Sequence, residues 1–193
     1  MMSALPSRLL AAVLFAAALP AAQAADNLIS NGSFESGSTG WTLIGDATLS
    51  SSDAYDGTVS SLLQDVSGSG AAVTTSFSAI AVSEIAELSL WLRNADLGPL
   101  SLVVFGYSSG STGSTVLEDF GNPDWTQFSL LSSLDSSQSL VSLTVYGGTG
   151  SASYVDDVLL TRISSAVPEP HSAALFAAGL IGVASLIRRR MQA

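Results

Sequence analysis

The 193-residue chain has no cysteine, no lysine and one histidine, His171. Without cysteine it has no disulfide framework, no thiol nucleophile and no thiolate metal site. Without lysine it has neither a Schiff-base amine nor the phosphate-gripping lysine of a P-loop. His171 sits in the C-terminal tail, so the body of the chain has no imidazole for a Ser-His-Asp triad. Cations are scarce as well: six arginines face sixteen acids. Only Arg93 and Arg162 fall within residues 25–163, against fifteen acids, a formal net charge of −13. Such a surface repels nucleic acid and anionic lipid, and it suits divalent cations or neutral sugars. The catalytic chemistry left over is a carboxylate pair of the glycosidase kind, yet acids in an acidic soluble domain are mostly solvated surface.

Long apolar runs occur only at the two ends. Residues 1–24 carry Arg8, an apolar stretch from Leu9 to Leu19, and the A-x-A-type cleavage site Ala22-Gln23-Ala24. That is a secretory signal peptide. At the other end, Ser172 to Ile187 are all small or apolar, followed by Arg188, Arg189 and Arg190. Sixteen helical residues rise about 24 Å, short of the roughly 30 Å hydrocarbon core. Snorkelling arginines extend the reach and mark the cytoplasmic side. Pro168 and Pro170 keep the helix from starting earlier. The organisation expected is therefore a signal peptide (1–24), one domain (25–163), a linker with Pro-Glu-Pro (164–170) and a C-terminal transmembrane segment (171–193). Export through the Sec machinery places the domain outside.

Val167-Pro168-Glu169-Pro170, a short apolar segment and the arginine cluster 188–190 together resemble the PEP-CTERM sorting signal. The resemblance implies an exported protein, held briefly in the inner membrane and processed by an exosortase-type membrane protease at the Pro-Glu-Pro motif. It also implies a final place at the cell surface or in an extracellular biofilm or floc matrix. His171 stands where a Ser or Thr is more usual.

The domain reads as strands. Leu88, Leu90 and Leu92 alternate with Ser89, Trp91 and Arg93, and Val141, Leu143 and Val145 alternate with Ser142, Thr144 and Tyr146. Similar runs lie around 60–64, 72–80, 100–107, 125–131 and 154–163, separated by Gly, Ser, Asp and Asn clusters. Many short strands with turns between them predict an all-β sandwich. Asn31-Gly32-Ser33-Phe34-Glu35 with Gly40-Trp41 opens the domain, Tyr55-Asp56-Gly57 follows, and Tyr154-Val155-Asp156-Asp157-Val158 closes it. Together they resemble the galactose-binding-like jelly roll of many carbohydrate-binding modules, with a signal peptide and an apolar helix as flanks.

That resemblance implies a structural calcium ion held by Glu35 and Asp156, with Asp157 the near alternative and backbone oxygens near Gly32 and Gly57 completing the shell. Strand alternation sends Asp156 and Asp157 to opposite faces. Sugar binding needs flat rings beside polar groups. Trp91, Trp125 and Tyr146 lie on the more polar faces of their strands, and with Arg93 they form the expected carbohydrate-binding platform. The competing reading packs these rings in the core, where Trp41 is expected. The function expected is non-catalytic: an exported, exosortase-processed surface or matrix protein binding exopolysaccharide. A purely structural matrix component is the alternative, and a carboxylate-dependent glycoside hydrolase the second.

Overall fold

Strand formation follows the period-two burial of apolar side chains. In the computed structural model, residues 26–95, 101–118, 123–148, 152–163 and 179 are described. The expected signal peptide and, Gly179 apart, the Pro-Glu-Pro tail with Val167, Pro168, Glu169, Pro170 and Arg188–Arg190 lie outside the described residues. Ten strands follow in order: β1 (Thr42–Gly45), β2 (Thr48–Ser50), β3 (Ser60–Gln64), β4 (Ala71–Ala81), β5 (Ile85–Asn94), β6 (Ser101–Tyr107), β7 (Thr112–Leu117), β8 (Thr126–Ser129), β9 (Ser139–Tyr146) and β10 (Ala152–Arg162). They form two five-stranded antiparallel sheets, β1-β4-β9-β6-β7 and β2-β3-β10-β5-β8. We call these the first and second sheet. The fold is the jelly-roll β-sandwich that the alternation and the motifs predict.

The inner faces meet in one core. Val73, Val103, Phe105, Leu143 and Val145 come from the first sheet, and Leu63, Leu88, Leu90, Leu92, Val155, Val158 and Leu160 from the second. All are fully buried, each contributing about 1.5–3 kcal/mol of transfer free energy. Phe34 and Trp41 close one end, ring centroids 4.8 Å apart. Trp41 is thus core, as expected.

Two local departures from alternation matter. In β9 the buried residue is Leu140, and Val141 is only half-buried. Register shifts where β9 meets β4 and β6 advance the inward set by one residue. In β10 a bulge sets Asp157 and Val158 against one residue of β5, with Asp157 at φ 44°. The bulge keeps Val158 in the core. It also corrects the expectation for the acidic pair: Asp156 and Asp157 do not go to opposite faces. Asp157 feels the charges of Asp56 and Glu87, which belong to the outer side of the second sheet.

Candidate functional site

The opening motif is a turn built around Asn31. Its amide donates to the carbonyls of Gly37 and Thr39, its Oδ1 accepts from Ser36 N–H, and its backbone carbonyl accepts from the Trp41 indole at 2.9 Å. Gly32 presses against β10, where its carbonyl accepts from Val158 N–H at 2.9 Å. This turn aims Glu35 at the loop 51–59, which joins β2 to β3.

Glu35 and Asp156 both grip that loop. Glu35 Oε1 accepts from Thr58 N–H (2.8 Å) and Val59 N–H (2.7 Å), and Oε2 from the Thr58 hydroxyl. Those backbone donors hold its carboxyl below the usual carboxylate range. Asp156, fully buried, accepts from Tyr55 N–H (2.8 Å) and Asp56 N–H (3.2 Å) through Oδ2, and from Asp157 N–H (2.7 Å) through Oδ1. Burial outweighs these bonds and pushes its carboxyl up to about 6. A cation beside it would reverse that shift. The two expected calcium ligands therefore converge on one loop from opposite ends of the sequence, as hard oxygen donors. Among the described residues no group of three or more His, Cys, Asp or Glu could hold a metal ion, so backbone carbonyls would have to complete a shell.

Pinned in this way, the loop lies over the outer face of the second sheet. Tyr55 stacks on Trp91 with ring centroids 3.7 Å apart and planes at 13°. Trp125 meets Tyr55 edge-on at 6.1 Å and Tyr154 at 6.5 Å. The Trp125 indole donates to Asp53 Oδ1 at 3.1 Å, and Asp53 pairs with the Arg93 guanidinium. Arg93 also donates to the Pro123 carbonyl and lies over the Tyr154 ring, 6.0 Å from its centroid. The structure thus brings Trp91, Trp125 and Arg93 together, as the strand faces predict, but the Trp125 indole and the Arg93 guanidinium are engaged and one face of Trp91 is covered.

Tyr146 is elsewhere. It stands on β9 in the first sheet, on the opposite side of the sandwich, so a single platform containing Trp91, Trp125 and Tyr146 does not exist. Alternation sorts residues between the two faces of a strand; it does not say which sheet the strand joins.

Tyr146 is 40% exposed and anchors a different surface. Strand pairing lines up Ile44, Ala72, Tyr146, Leu102 and Val116 in a row across the first sheet. The next row is Thr42, Thr74, Thr144, Val104 and Ser114; a third is Ser76, Ser142, Gly106 and Thr112. Directly paired residues share a face. Among the described residues, these paired rows therefore hold an aliphatic stripe with one ring, flanked by hydroxyls, and no charge, in a domain of net charge −13.

Residues 166–190 match the PEP-CTERM protein-sorting motif. That motif marks an exported protein. Among curated proteins none matches the chain. Among solved structures, the fold is similar to TmCBM61 in complex with β-1,4-galactotriose (18% identity, TM-score 0.50, covering 71% of this chain and 99% of that one). It is similar also to a family 16 carbohydrate-binding module (21%, 0.52, 70% and 99%). A third is the CBM22-1 xylan-binding domain of Paenibacillus barcinonensis Xyn10C (21%, 0.50, 76% and 100%). Carbohydrate-binding modules are thus neighbours of this chain in fold.

Proposed function

We propose that the protein is a non-catalytic, exported polysaccharide-binding protein whose domain contacts neutral exopolysaccharide through the outer face of the first sheet. The observation that carries this is the uncharged set of described, strand-paired residues around Tyr146. A pyranose has apolar C–H faces and a hydroxyl rim, matched by a ring with Leu102 and Val116 beside rows of Ser and Thr hydroxyls. The fold neighbours solved with galactotriose or named for xylan binding support the same reading. Glu35 and Asp156, with carbonyls near Gly32 and Gly57, hold a structural calcium ion that fixes the loop 51–59. An exosortase-type protease processes the tail at Pro168-Glu169-Pro170, leaving the domain at the cell surface or in the matrix.

The test is native electrophoresis of residues 26–166 through gels cast with exopolysaccharide from the producing cells, with calcium and with a chelator. The domain's strong negative charge drives migration, so retardation reads binding directly. We expect retardation that is weakened in Tyr146→Ala and weakened by the chelator. Equal mobility with and without polysaccharide would refute the binding reading and leave a structural matrix role. Release of sugar abolished by a carboxylate substitution would instead make the protein a hydrolase.

A further inference from the structure

The first sheet's open face leaves the aromatic cluster on the opposite side unexplained. Tyr55 lies in a loop, where an exposed ring normally moves freely. Here its ring is stacked flat on Trp91, braced by Trp125, and its own backbone N–H is held by Asp156. The loop on either side is tied down as well, through Asp53 to Arg93 and Trp125 and through Glu35 to Thr58 and Val59. Ordering these residues costs conformational entropy, which this many attachments offset. What they hold in place is a ring with one face stacked on Trp91, in a residue that is still 41% exposed.

We infer that Tyr55 is the stacking shelf of a second saccharide site, so that one domain carries two sugar-binding faces on opposite sides of the sandwich. The inference rests on the glycan-binding reading above and extends it from a one-faced binder to a cross-linker. A ring fixed before binding loses little freedom when a sugar stacks on it. The chemistry around it selects the ligand. Asp56, next to Tyr55 in the chain, supplies acceptors for sugar hydroxyls, and the nearby cation, Arg93, is neutralised by Asp53. Such surroundings repel uronate, sulfate and phosphate groups. The occupant is a neutral, hydroxyl-rich chain. Trp91, Trp125 and Arg93 act beneath it as supports.

The experiment is calorimetric titration of the full chain in mild detergent with neutral hexasaccharides from β-1,4-galactan, xylan, cellulose and mannan. Trp fluorescence is followed in parallel, because Trp91 lies directly under the shelf. We expect two sites per chain for at least one hexasaccharide. Tyr55→Ala should leave one, with the displaced site weakened about tenfold or more and the fluorescence response gone. Tyr55→Phe should keep both sites, and unchanged melting of both variants separates lost stacking from lost folding. A single site abolished by Tyr146→Ala and untouched by Tyr55→Ala would overturn the shelf while leaving the reading it rests on intact. Binding to none of the four sugars would overturn both. One site lost in Tyr55→Ala and indifferent to Tyr146→Ala would support the shelf and refute the first-sheet site.

Discussion

A β-carbon at position 32 would lie 2.1 Å from the Val158 carbonyl oxygen, closer than any real contact. Gly32 is therefore required by packing, and its carbonyl is the acceptor that locks the β10 bulge. Gly32→Ala must push the opening turn off β10 and lose that bond, costing about 2–3 kcal/mol. Urea unfolding followed by tryptophan fluorescence should show that loss; a change below about 0.5 kcal/mol would mean the turn shifts without strain. Gly57 faces a comparable limit, at φ 71° and with its missing side chain's place taken by the Glu35 carboxylate. At this scale the motif was legible in sequence. Asn31, Gly32, Glu35 and Asp156 stand out by residue type and spacing, and the structure gives each a specific contact. Tyr55 was legible only as part of a turn motif. Nothing in a loop's composition says that its ring will come to rest on a tryptophan distant in sequence. The position of Asp157 depended on a bulge, which shifts faces without a mark in the local pattern.

The loop 51–59 behaves as one element because its attachments come from β5, β10, Trp125 and the opening turn. Arg93 and Asp53 are only partly exposed, so their pair is worth more than a surface ion pair, although solvent still screens it. Arg93→Ala would leave Asp53 with the Trp125 indole alone and unfasten the middle of the loop. Limited proteolysis should then cut between Ser51 and Val59 several-fold faster than in the parent protein, while the melting transition shifts by only a few degrees. Equal cutting rates would show that Asp156 and Glu35 suffice to hold it. Elements were unequally readable in sequence. The alternation of β5 and β9 is plain, because one side of each strand is filled with Leu and Val. β1, β2 and β7 are short and rich in Thr, Ser and Gly, so they carry little alternation. Which strands share a sheet is decided by long-range pairing, and this is why Tyr146 parts company with Trp91 and Trp125.

At the scale of the molecule, the domain's charge and its terminal signals work together. A surface of net charge −13 stays soluble and keeps clear of anionic membrane after export, so retention must come from the tail or from a neutral partner. Deleting Val167–Ala193 should release the protein into the medium, and the intact chain should appear there or in the matrix shortened at the Pro-Glu-Pro motif. Mass spectrometry of the matrix fraction reads the cut directly. Full-length chain persisting in the membrane fraction would make the tail a permanent anchor.

The chain leaves the domain through β10, which is flanked in its sheet by β3 on one side and β5 on the other. Just before the tail, Leu160 accepts from Leu28 N–H at 2.8 Å, and Ile163 donates to Glu84 at 2.8 Å. A domain gripping polysaccharide while its tail is fixed would be loaded along an interior strand, parallel to its length. Under such a pull the hydrogen bonds on both flanks resist in shear and must fail together, whereas an edge strand peels one bond at a time. The strand that carries Asp156 is thus also the one through which tension enters the fold.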